Sequence, residues 1–328
     1  MSKVTNLHDS PEFREKTLAM IEKSLGYEKE NSFQVDFYPL FNESNYKNCH
    51  ILIEEDKVIG HIGCLSKRFE LLNSHPINMY GGIAIEEGSR GKGYFTNFFQ
   101  EVLKLSPAAC LSFLWSDQLD LYEKFDFYPC IELFHYHKSE DGPSNKWVKT
   151  SLKELSEDQV KQLSSLYQSN DEIRILRDKK DWETLSNITS TDLYIRTNQN
   201  QIENYFFIHK GQDLKDIIHE YGEINDETVK ELTTMGHVWT PYRSKSHFSR
   251  QELFGSVVRL GDEDLFKKFV KELAGADLVN RNESEITVRL DDEEFTLLIK
   301  DFLPGLLGPG KFKEFETQDL FISGLDSI

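Results

Sequence analysis

The chain has 328 residues, of which 38% are hydrophobic and 12% aromatic, and it carries a formal net charge of −18. So much apolar material suffices for packed cores and excludes a wholly disordered chain. The length is about twice that of a typical domain and predicts two domains. The acidic balance argues against a nucleic-acid partner and against an anionic membrane surface, and we expect neither.

Targeting signals and cysteine usage favour a cytoplasmic protein. The longest apolar run, 108–115, is far shorter than the roughly 20 residues that span a bilayer. The N-terminal residues lack the apolar stretch of a secretory signal, so a cytoplasmic location is predicted. The cysteines show no CxxC spacing and lie mostly in apolar runs, which predicts buried free thiols and no metal: Cys49, Cys64, Cys110 and Cys130.

The first half of the chain has the pattern of an α/β (α+β layered) domain. It opens with a helix that Ser10 can cap and Gly26 can end. Periodicity then predicts, in chain order, strands at 49–54, 57–65, 68–72 and 77–85, a helix at 94–105, a strand at 109–115, a short helix at 119–125 and a strand at 127–137. The domain is assigned to residues 1–138, and a polar linker follows at 139–148.

The second half repeats this order of elements without repeating the residues. Helices are predicted at 157–169, 178–188, 226–235 and 262–273, and strands at 193–197, 204–209, 216–223, 237–242, 285–290 and 294–300. The order predicts a second domain at 149–255 and a C-terminal segment at 256–328. The stretch 303–310 is predicted as an apolar loop. His219-Glu220 lacks a third ligand and is interpreted as structural.

The sharpest candidate site is a junction between a strand and a helix. The apolar strand Ile83-Ala84-Ile85 runs through an acidic turn into Arg90-Gly91-Lys92-Gly93, and a helix begins at Tyr94. Glycine lets the backbone approach a ligand closely, and free amides at a helix start attract anions, so a diphosphate would fit there. The pattern is neither a Walker motif nor a dinucleotide fingerprint. Taken alone, a surface turn with two basic residues explains it equally well.

A second motif, Leu121-Tyr122-Glu123-Lys124-Phe125-Asp126-Phe127, begins 28 residues after Gly93. Together the two motifs resemble the GCN5-related N-acetyltransferase (GNAT) superfamily. In that superfamily (Gln/Arg)-x-x-Gly-x-(Gly/Ala) precedes a helix, and a later short helix reads (Phe/Leu)-Tyr-x-Lys-x-Gly-Phe. This chain departs from the patterns at Gly88, where Gln or Arg is usual, and at Asp126, where Gly is usual. The first departure weakens one side-chain contact and leaves the backbone cradle intact.

The order of elements extends the resemblance beyond the first half. Two GNAT-like halves, of which only the first keeps a phosphate loop, are similar to tandem acetyltransferases of the enhanced-intracellular-survival type. The resemblance implies a mixed twisted sheet flanked by helices, followed by a second, degenerate GNAT-like half that binds no coenzyme. It also implies a small C-terminal α+β segment that completes the acceptor site.

The resemblance implies acetyl-CoA as the cosubstrate, bound by the first half. Its pantetheine arm would lie between strand Ile83–Ile85 and the strand at 109–115, where Gly81 and Gly82 favour a bulge. An amide near Ile83–Ile85 would hold the thioester carbonyl. The residues expected to hold the diphosphate are Arg90, Gly91, Lys92, Gly93, Tyr94, Phe95 and Thr96.

Two catalytic roles are also implied by the resemblance. A tyrosine of the short helix can protonate the leaving thiolate in this family, and Tyr122 matches its position; the alternative is an aromatic packed beside the coenzyme tail. In tandem relatives the terminal carboxylate can enter the active site, and the apolar end 320–328 makes the carboxylate of Ile328 the proposed base. The alternative for that end is a closing strand. Rival bases among the side chains are Glu86, His61 and Asp36.

The sequence thus predicts an N-acetyltransferase that moves an acetyl group from acetyl-CoA to a primary amine by direct attack in a ternary complex. The acceptor is expected to be a small molecule or a peptide, and no metal is expected. One alternative is a non-catalytic acyl-CoA-binding or regulatory module that keeps the fold, and another is a structural scaffold. The acceptor's identity, the acyl-chain preference and the oligomeric state stay open.

Overall fold

The computed structural model describes residues 2–142, 145–245, 250–308, 310–313, 315 and 317–328. A short 3₁₀ turn at Pro11–Phe13 precedes the first long helix, and Gly26 ends that helix with φ +71°, as predicted. The first half comprises β1 (Lys3–Asn6), α1 (Arg14–Leu25), α2 (Phe33–Asp36), β2 (Cys49–Glu54), β3 (Lys57–Glu70), β4 (Ser74–Ile85), α3 (Tyr94–Leu105), β5 (Leu111–Leu114), α4 (Leu119–Glu123) and β6 (Tyr128–Tyr136).

The rest of the chain begins with helices that are capped by their own side chains. Ser156 and Asp178 each accept a hydrogen bond from the third residue of the helix that follows, which fixes where those helices start. The elements are β7 (Val148–Thr150), α5 (Glu157–Gln168), α6 (Lys179–Leu185), β8 (Asp192–Asn198), β9 (Gln201–Ile208), β10 (Ile217–Tyr221), α7 (Asp226–Thr233), β11 (His237–Thr240), β12 (Arg250–Leu260), α8 (Glu263–Ala274), β13 (Asp277–Arg281), β14 (Glu285–Leu290), β15 (Glu293–Leu298) and α9 (Ile299–Leu307).

Twelve strands of the described residues form one mixed sheet in the order β1-β2-β3-β4-β5-β12-β6-β11-β10-β9-β8-β7. Paired strands are antiparallel except β4 with β5 and β10 with β11, which are parallel. Strand β12 comes from the C-terminal part of the chain and pairs with β5 on one side and β6 on the other. Strands β13, β14 and β15 form a separate small sheet. A large mixed sheet with flanking helices is the predicted fold class, which is thereby confirmed.

Helices α1 and α3 flank the sheet of the first half. Helix α3 buries Phe98 and Phe99 in one core cluster, where Phe99 packs edge-on against Tyr80 of β4 with ring centroids 5.7 Å apart. Helix α1 contacts β3 and β4 as well, but its Met20 and Ile21 belong to a different cluster. Strand β4 is therefore buried from both sides and holds the junction that follows it in a fixed position.

Strand β3 corrects one prediction, because it runs unbroken from Lys57 to Glu70 instead of forming two strands at 57–65 and 68–72. The polar run Ser66-Lys67-Arg68 resembles a break in the pattern. Leu65 and Phe69 are nevertheless buried, while Ser66 and Arg68 point to the exposed face. A strand with one solvated face accommodates such alternation.

Helix α9 corrects a second prediction, since part of the stretch 303–310, of which residue 309 is not described, is helical rather than a loop. Proline inside a helix removes a hydrogen bond and costs about 3 kcal/mol, and Pro304 occupies such a position. The helix buries Phe302, Leu303 and Leu306 completely. Burial of a large apolar side chain contributes about 1.5–3 kcal/mol, so the three together outweigh the destabilisation of the helix by Pro304.

Strand β12 is absent from the sequence prediction because Gly255 interrupts its apolar pattern. The proposed boundary between residues 255 and 256 lies inside this strand, and the division into domains stays a prediction. In the predicted linker 139–148, residues 143 and 144 are not described, and Val148 already belongs to β7.

The cysteines and the membrane prediction can be compared directly with the structure. All four cysteines are buried and free, as predicted. Among the helices of the described residues, we find none that combines the length and the apolar character needed to cross a bilayer.

Candidate active site

Strands β4 and β5 separate where the sequence predicts a gap. They pair from Ile77 with Leu111 as far as Tyr80 with Leu114, and no further. On its other edge β4 stays paired with β3 as far as Ile85. The register of that pairing shifts opposite Gly82, whose φ is +57°. The predicted bulge is thereby confirmed, and the end of β4 has one open edge.

Backbone groups of β4 face this open edge. The Glu86 amide donates to the Ile59 carbonyl at 2.9 Å and therefore points toward β3. Successive residues of a strand direct their backbone groups to opposite sides, so those of Ile85 point away from β3. The Ile85 carbonyl accepts a hydrogen bond from Arg90 Nε at 3.0 Å, which agrees with that direction. At the open edge the Ile85 amide is thus directed toward a ligand, while the Ile85 carbonyl is already bonded to Arg90.

The loop after β4 ends in a cluster of free amides. The Ser89 and Arg90 amides donate to carbonyls within the turn, at 2.8 and 3.2 Å. Gly91 and Gly93 adopt left-handed φ values of +75° and +80°. Within the described residues, no backbone carbonyl accepts from the amides of residues 91–93. Helix α3 starts directly afterwards, and its first amides have no partner within the helix, so this is an anion-binding arrangement.

Tyr94 fixes the start of α3 to the sheet. Its hydroxyl donates to the Glu54 carboxylate of β2, at 2.7 Å from Oε1. The hydrogen bond to Glu54 is the main cause that raises the pKa of Tyr94. The contact orients the helix axis, and with it the free amides, relative to the end of β4.

One cavity of about 370 Å³ brings both sequence motifs together, and we call it the α3–α4 cavity. It is lined by Ser24, Leu25, Ile83, Ala84, Ile85, Ser89, Arg90, Gly91, Gly93, Tyr94, Phe95, Gln118, Leu121 and Tyr122. Eight of the ten residues predicted to hold the coenzyme are among them. Lys92 instead lines a neighbouring cavity with Asn97 and Glu101, and Thr96 is an exposed residue of α3. Another cavity of the same volume, between α5 and α6, contains residues of neither motif.

Tyr122 lies on α4 at the wall of the α3–α4 cavity. It is buried, and its ring meets Phe95 and Phe99 edge-on with centroids 5.9 Å apart in both cases. Burial raises the pKa of Tyr122 to about 12. The hydroxyl therefore keeps its proton at neutral pH, which is the state that a proton donor needs.

The terminal carboxyl group of Ile328 lies against the bulge of β4. A Cβ added to Gly81 would lie 2.6 Å from the Ile328 carboxyl oxygen and closer still to its carboxyl carbon. Ile328 is buried, and residues 321–328, all of them described, form no strand. The closing strand considered above is therefore not present, and the chain end reaches the strand that lines the α3–α4 cavity.

A lysine and a buried ion network hold this C-terminal tail in place. Lys210 Nζ donates to the carbonyls of Gly324 and Ser327, at 2.7 and 2.6 Å. Arg177 Nη2 lies 2.6 Å from Glu220 and 2.6 Å from Asp326, and all three side chains are at most 1% exposed. These contacts fix the residues immediately before Ile328.

The network also sets the charge state of Glu220. Burial alone would raise the pKa of this carboxyl group, but the Arg177 guanidinium and hydrogen bonds from Arg177 and Ser323 outweigh it and lower the pKa. Ser323 Oγ donates to Glu220 Oε2 at 2.5 Å. The structural interpretation of His219-Glu220 is confirmed for Glu220, which anchors the tail.

The rival bases have other surroundings. Glu86 pairs with Lys57 at 3.1 Å, and this hydrogen bond lowers its pKa. His61 is fully buried with Nδ1 2.7 Å from the Gly82 carbonyl, and burial lowers its pKa to about 4. Asp36 is buried, and its Oδ2 has no hydrogen-bond partner among the described residues. Neither these three residues nor Ile328 itself lines the α3–α4 cavity; Ile328 differs from them in reaching Gly81 of β4, the strand whose end lines it.

Sequence reasoning misses the residues that anchor the tail. Arg177, Lys210 and Glu220 contact the last six residues from more than 100 positions away along the chain. One local signal is present, because Asp326 is a charged residue within an otherwise apolar end. A buried charge needs a partner, but the sequence does not indicate which one.

No protein-family model matches the sequence, and no curated protein matches it. Solved structures do match over nearly the whole chain, and their fold is that of the GCN5-related N-acetyltransferases. Eis1 from Mycobacterium abscessus superposes with a TM-score of 0.61 at 10% identity, covering 98% of this chain and 99% of that one. The resemblance to tandem acetyltransferases that the motifs indicate is thereby confirmed at the level of the fold.

Two further structures give the same result. A GCN5-related N-acetyltransferase from Anabaena variabilis has a TM-score of 0.60 at 13% identity, over 92% of this chain and 89% of that one. A GCN5-related N-acetyltransferase from Kribbella flavida has a TM-score of 0.56 at 10% identity, over 91% and 83%. At such low identity the likeness concerns the fold, so the chemistry has to be argued from this chain's own residues.

Proposed function

We propose that the protein is an acetyl-CoA-dependent N-acetyltransferase that moves an acetyl group to a primary amine by direct attack in a ternary complex. The observation that carries the proposal is the α3–α4 cavity. It joins the free amides of Gly91 and Gly93, the open edge of β4 and the side chain of Tyr122. Anion binding, strand-like pairing and proton donation are therefore available in one place.

The cosubstrate would occupy this cavity along its length. Its diphosphate fits the amides of residues 91–93 and the start of α3, with Arg90 adding positive charge. Its pantetheine arm would run along Ile83 and Ile85, where the Ile85 amide, directed to the open edge, needs a hydrogen-bond partner. This arrangement places the thioester near the bulge at Gly81 and Gly82.

Two groups would move protons during the transfer. Alkyl amines have pKa values near 10, so the acceptor must lose a proton before it attacks. We propose that the Ile328 carboxylate takes this proton, because it lies against Gly81. The nitrogen–carbon bond then forms as the carbon–sulfur bond breaks. Tyr122 hydrogen-bonds to the departing sulfur and supplies the proton that makes the free thiol.

The proposed acceptor is an amine on a small molecule or peptide. A net charge of −18 creates a negative field that favours cationic amines over nucleic acids or anionic membranes. The second half would shape the acceptor site by holding the tail through Arg177 and Lys210.

Calorimetry with acetyl-CoA and a free-thiol release assay on a panel of amines test the proposal on the full chain. We expect saturable binding and amine-dependent release of CoA. Binding without release over a broad panel would instead support the acyl-CoA-binding module, which the exposed Gly88 favours because it offers no side-chain contact. The absence of binding would leave a structural scaffold.

A further inference from the structure

Three histidines meet at the seam between the two halves of the sheet, and none of them lines the α3–α4 cavity. The ligand nitrogens of His135, His137 and His237 all lie within 4.8 Å of one another. His135 Nε2 is 3.1 Å from His237 Nδ1, and the rings of His135 and His137 have centroids 4.4 Å apart. Such a convergence of imidazoles is a metal-ligand arrangement.

The strand register explains why these three side chains converge. Strands β6 and β11 are antiparallel, with Tyr136 opposite Val238 and His135 opposite Trp239. Continuing that register by one residue places His137 opposite His237. Residues two apart on a strand share a face, so His135 joins the pair from the diagonal position. His135 thus lies in β6, His237 begins β11, and His137 directly follows the last residue of β6.

The spacing suits a small divalent metal. Zinc binds imidazole nitrogen at about 2.0–2.1 Å in tetrahedral geometry, which places two ligand nitrogens about 3.4 Å apart. The separation of 3.1 Å between His135 and His237 is already near that value. His137 is exposed and can rotate toward the other two. The Lys138 amide lies 3.3 Å from His237 Nδ1, a long contact that a metal would replace.

We propose that His135, His137 and His237 form a three-histidine site for a divalent transition metal of the zinc type. The site has two half-buried ligands and one exposed ligand, which leaves a coordination position open to solvent. Imidazole favours zinc, copper and nickel over calcium or magnesium. A bound ion would connect β6 with β11 and so stabilise the seam between the halves. The proposal is independent of acetyl transfer and differs from the expectation that the chain has no metal site.

Zn²⁺ titration of the chelator-treated full chain tests this site, with His137→Ala as the ligand variant and His8→Ala as the matched control. His137 and His8 are both exposed, so either change should leave the fold intact. We expect one Zn²⁺ per chain, with affinity reduced at least about tenfold in His137→Ala and unchanged in His8→Ala. Co²⁺ should give the visible absorption of a tetrahedral site in the unaltered chain and in His8→Ala, but not in His137→Ala.

Thermal unfolding supplies a second readout. Zn²⁺ should raise the unfolding temperature of the unaltered chain and of His8→Ala, because an ion that binds only the native state stabilises it. Zn²⁺ should raise the unfolding temperature of His137→Ala much less. His137→Gln serves if the alanine variant folds poorly. Absent stoichiometric binding, or equal affinity in the two variants, would show a hydrogen-bonded histidine pair only and overturn the proposal.

Discussion

Gly91 in the loop after β4 has a matched counterpart in Gly275 at the end of α8. Their φ values are +75° and +68°, and a Cβ added to either would meet no atom within 4 Å. Alanine should therefore strain the backbone by a similar amount, about 1–2 kcal/mol. Only Gly91 belongs to the proposed diphosphate loop.

We expect Gly91→Ala to weaken acetyl-CoA binding about tenfold, since the strained loop no longer aligns its amides. Gly275→Ala should leave the affinity unchanged while lowering the unfolding temperature by a comparable amount. Calorimetry and thermal unfolding of both variants check this. Equal acetyl-CoA affinities in the two would contradict the role of the loop.

Tyr122 can be tested by removing its hydroxyl group alone. Tyr122→Phe keeps the edge-on packing with Phe95 and Phe99. A general acid typically contributes at least about a hundredfold to the rate, so kcat should fall by that factor while the dissociation constant of acetyl-CoA changes little. Tyr128→Phe, at a half-buried tyrosine that does not line the cavity, is the control. A parallel loss of affinity and kcat would indicate that Tyr122 only packs beside the coenzyme.

At the scale of elements, the C-terminal tail is the segment that places the proposed base. Gly81 is the point of contact, since a methyl group there would overlap the Ile328 carboxyl group. Gly81→Ala should displace the carboxylate and lower kcat about a hundredfold, with a smaller effect on acetyl-CoA affinity. Steady-state kinetics and calorimetry separate the two quantities.

Gly142→Ala is the control for Gly81→Ala, because a Cβ added to Gly142 meets no atom within 4 Å. One glycine appended after Ile328 moves the terminal carboxylate by one residue without altering Gly81. This extension should lower kcat as Gly81→Ala does. If both the Gly81 variant and the extended chain keep full turnover, the base is another group.

The elements of the first half show which part of the site is predictable. Helix α3 and the loop before it follow from residues that are adjacent in sequence: an apolar strand, glycines that adopt positive φ, and apolar residues at helical spacing. Local sequence does not predict two other features. These are the continuous strand β3, predicted as two strands, and the helix that contains Pro304. There, burial against partners distant in sequence overrides the local pattern.

At the scale of the whole molecule, the ion network around Arg177 joins the second half to the chain end. Arg177→Gln would leave Glu220 and Asp326 as buried carboxylates without a counter-charge, which should destabilise the fold by about 3–5 kcal/mol. Arg289→Gln removes an arginine from an ion pair whose side chains are about half exposed, 48% and 49%. That control should change the stability by at most about 1 kcal/mol.

The loss of stability caused by Arg177→Gln should be large at neutral pH and smaller in acid. The pKa of Glu220 in the folded chain lies below its unfolded value. The contribution of Arg177 is therefore complete at neutral pH and declines as the pH falls below about 4, toward the folded pKa. Urea unfolding of the unaltered chain, Arg177→Gln and Arg289→Gln at neutral and acidic pH gives the free energies of unfolding that check this. A difference below about 1 kcal/mol, or one that does not shrink in acid, would contradict the account.

Long-range contacts also explain what the sequence does not reveal about the site. The insertion of β12 between β5 and β6, the Arg177 network and the histidine cluster all join segments about 100 or more residues apart. No local pattern indicates such partners. The proposed coenzyme loop and Tyr122, by contrast, lie within a single stretch of the first half, so their association is predictable from motif spacing.

The most direct test is a crystal structure of the full chain with coenzyme A bound. We expect the diphosphate at the amides of residues 91–93, the pantetheine arm along Ile83 and Ile85, and the sulfur facing Tyr122. Coenzyme bound elsewhere, such as between α5 and α6, or a sulfur that faces neither Tyr122 nor the Ile328 carboxylate, would contradict this expectation.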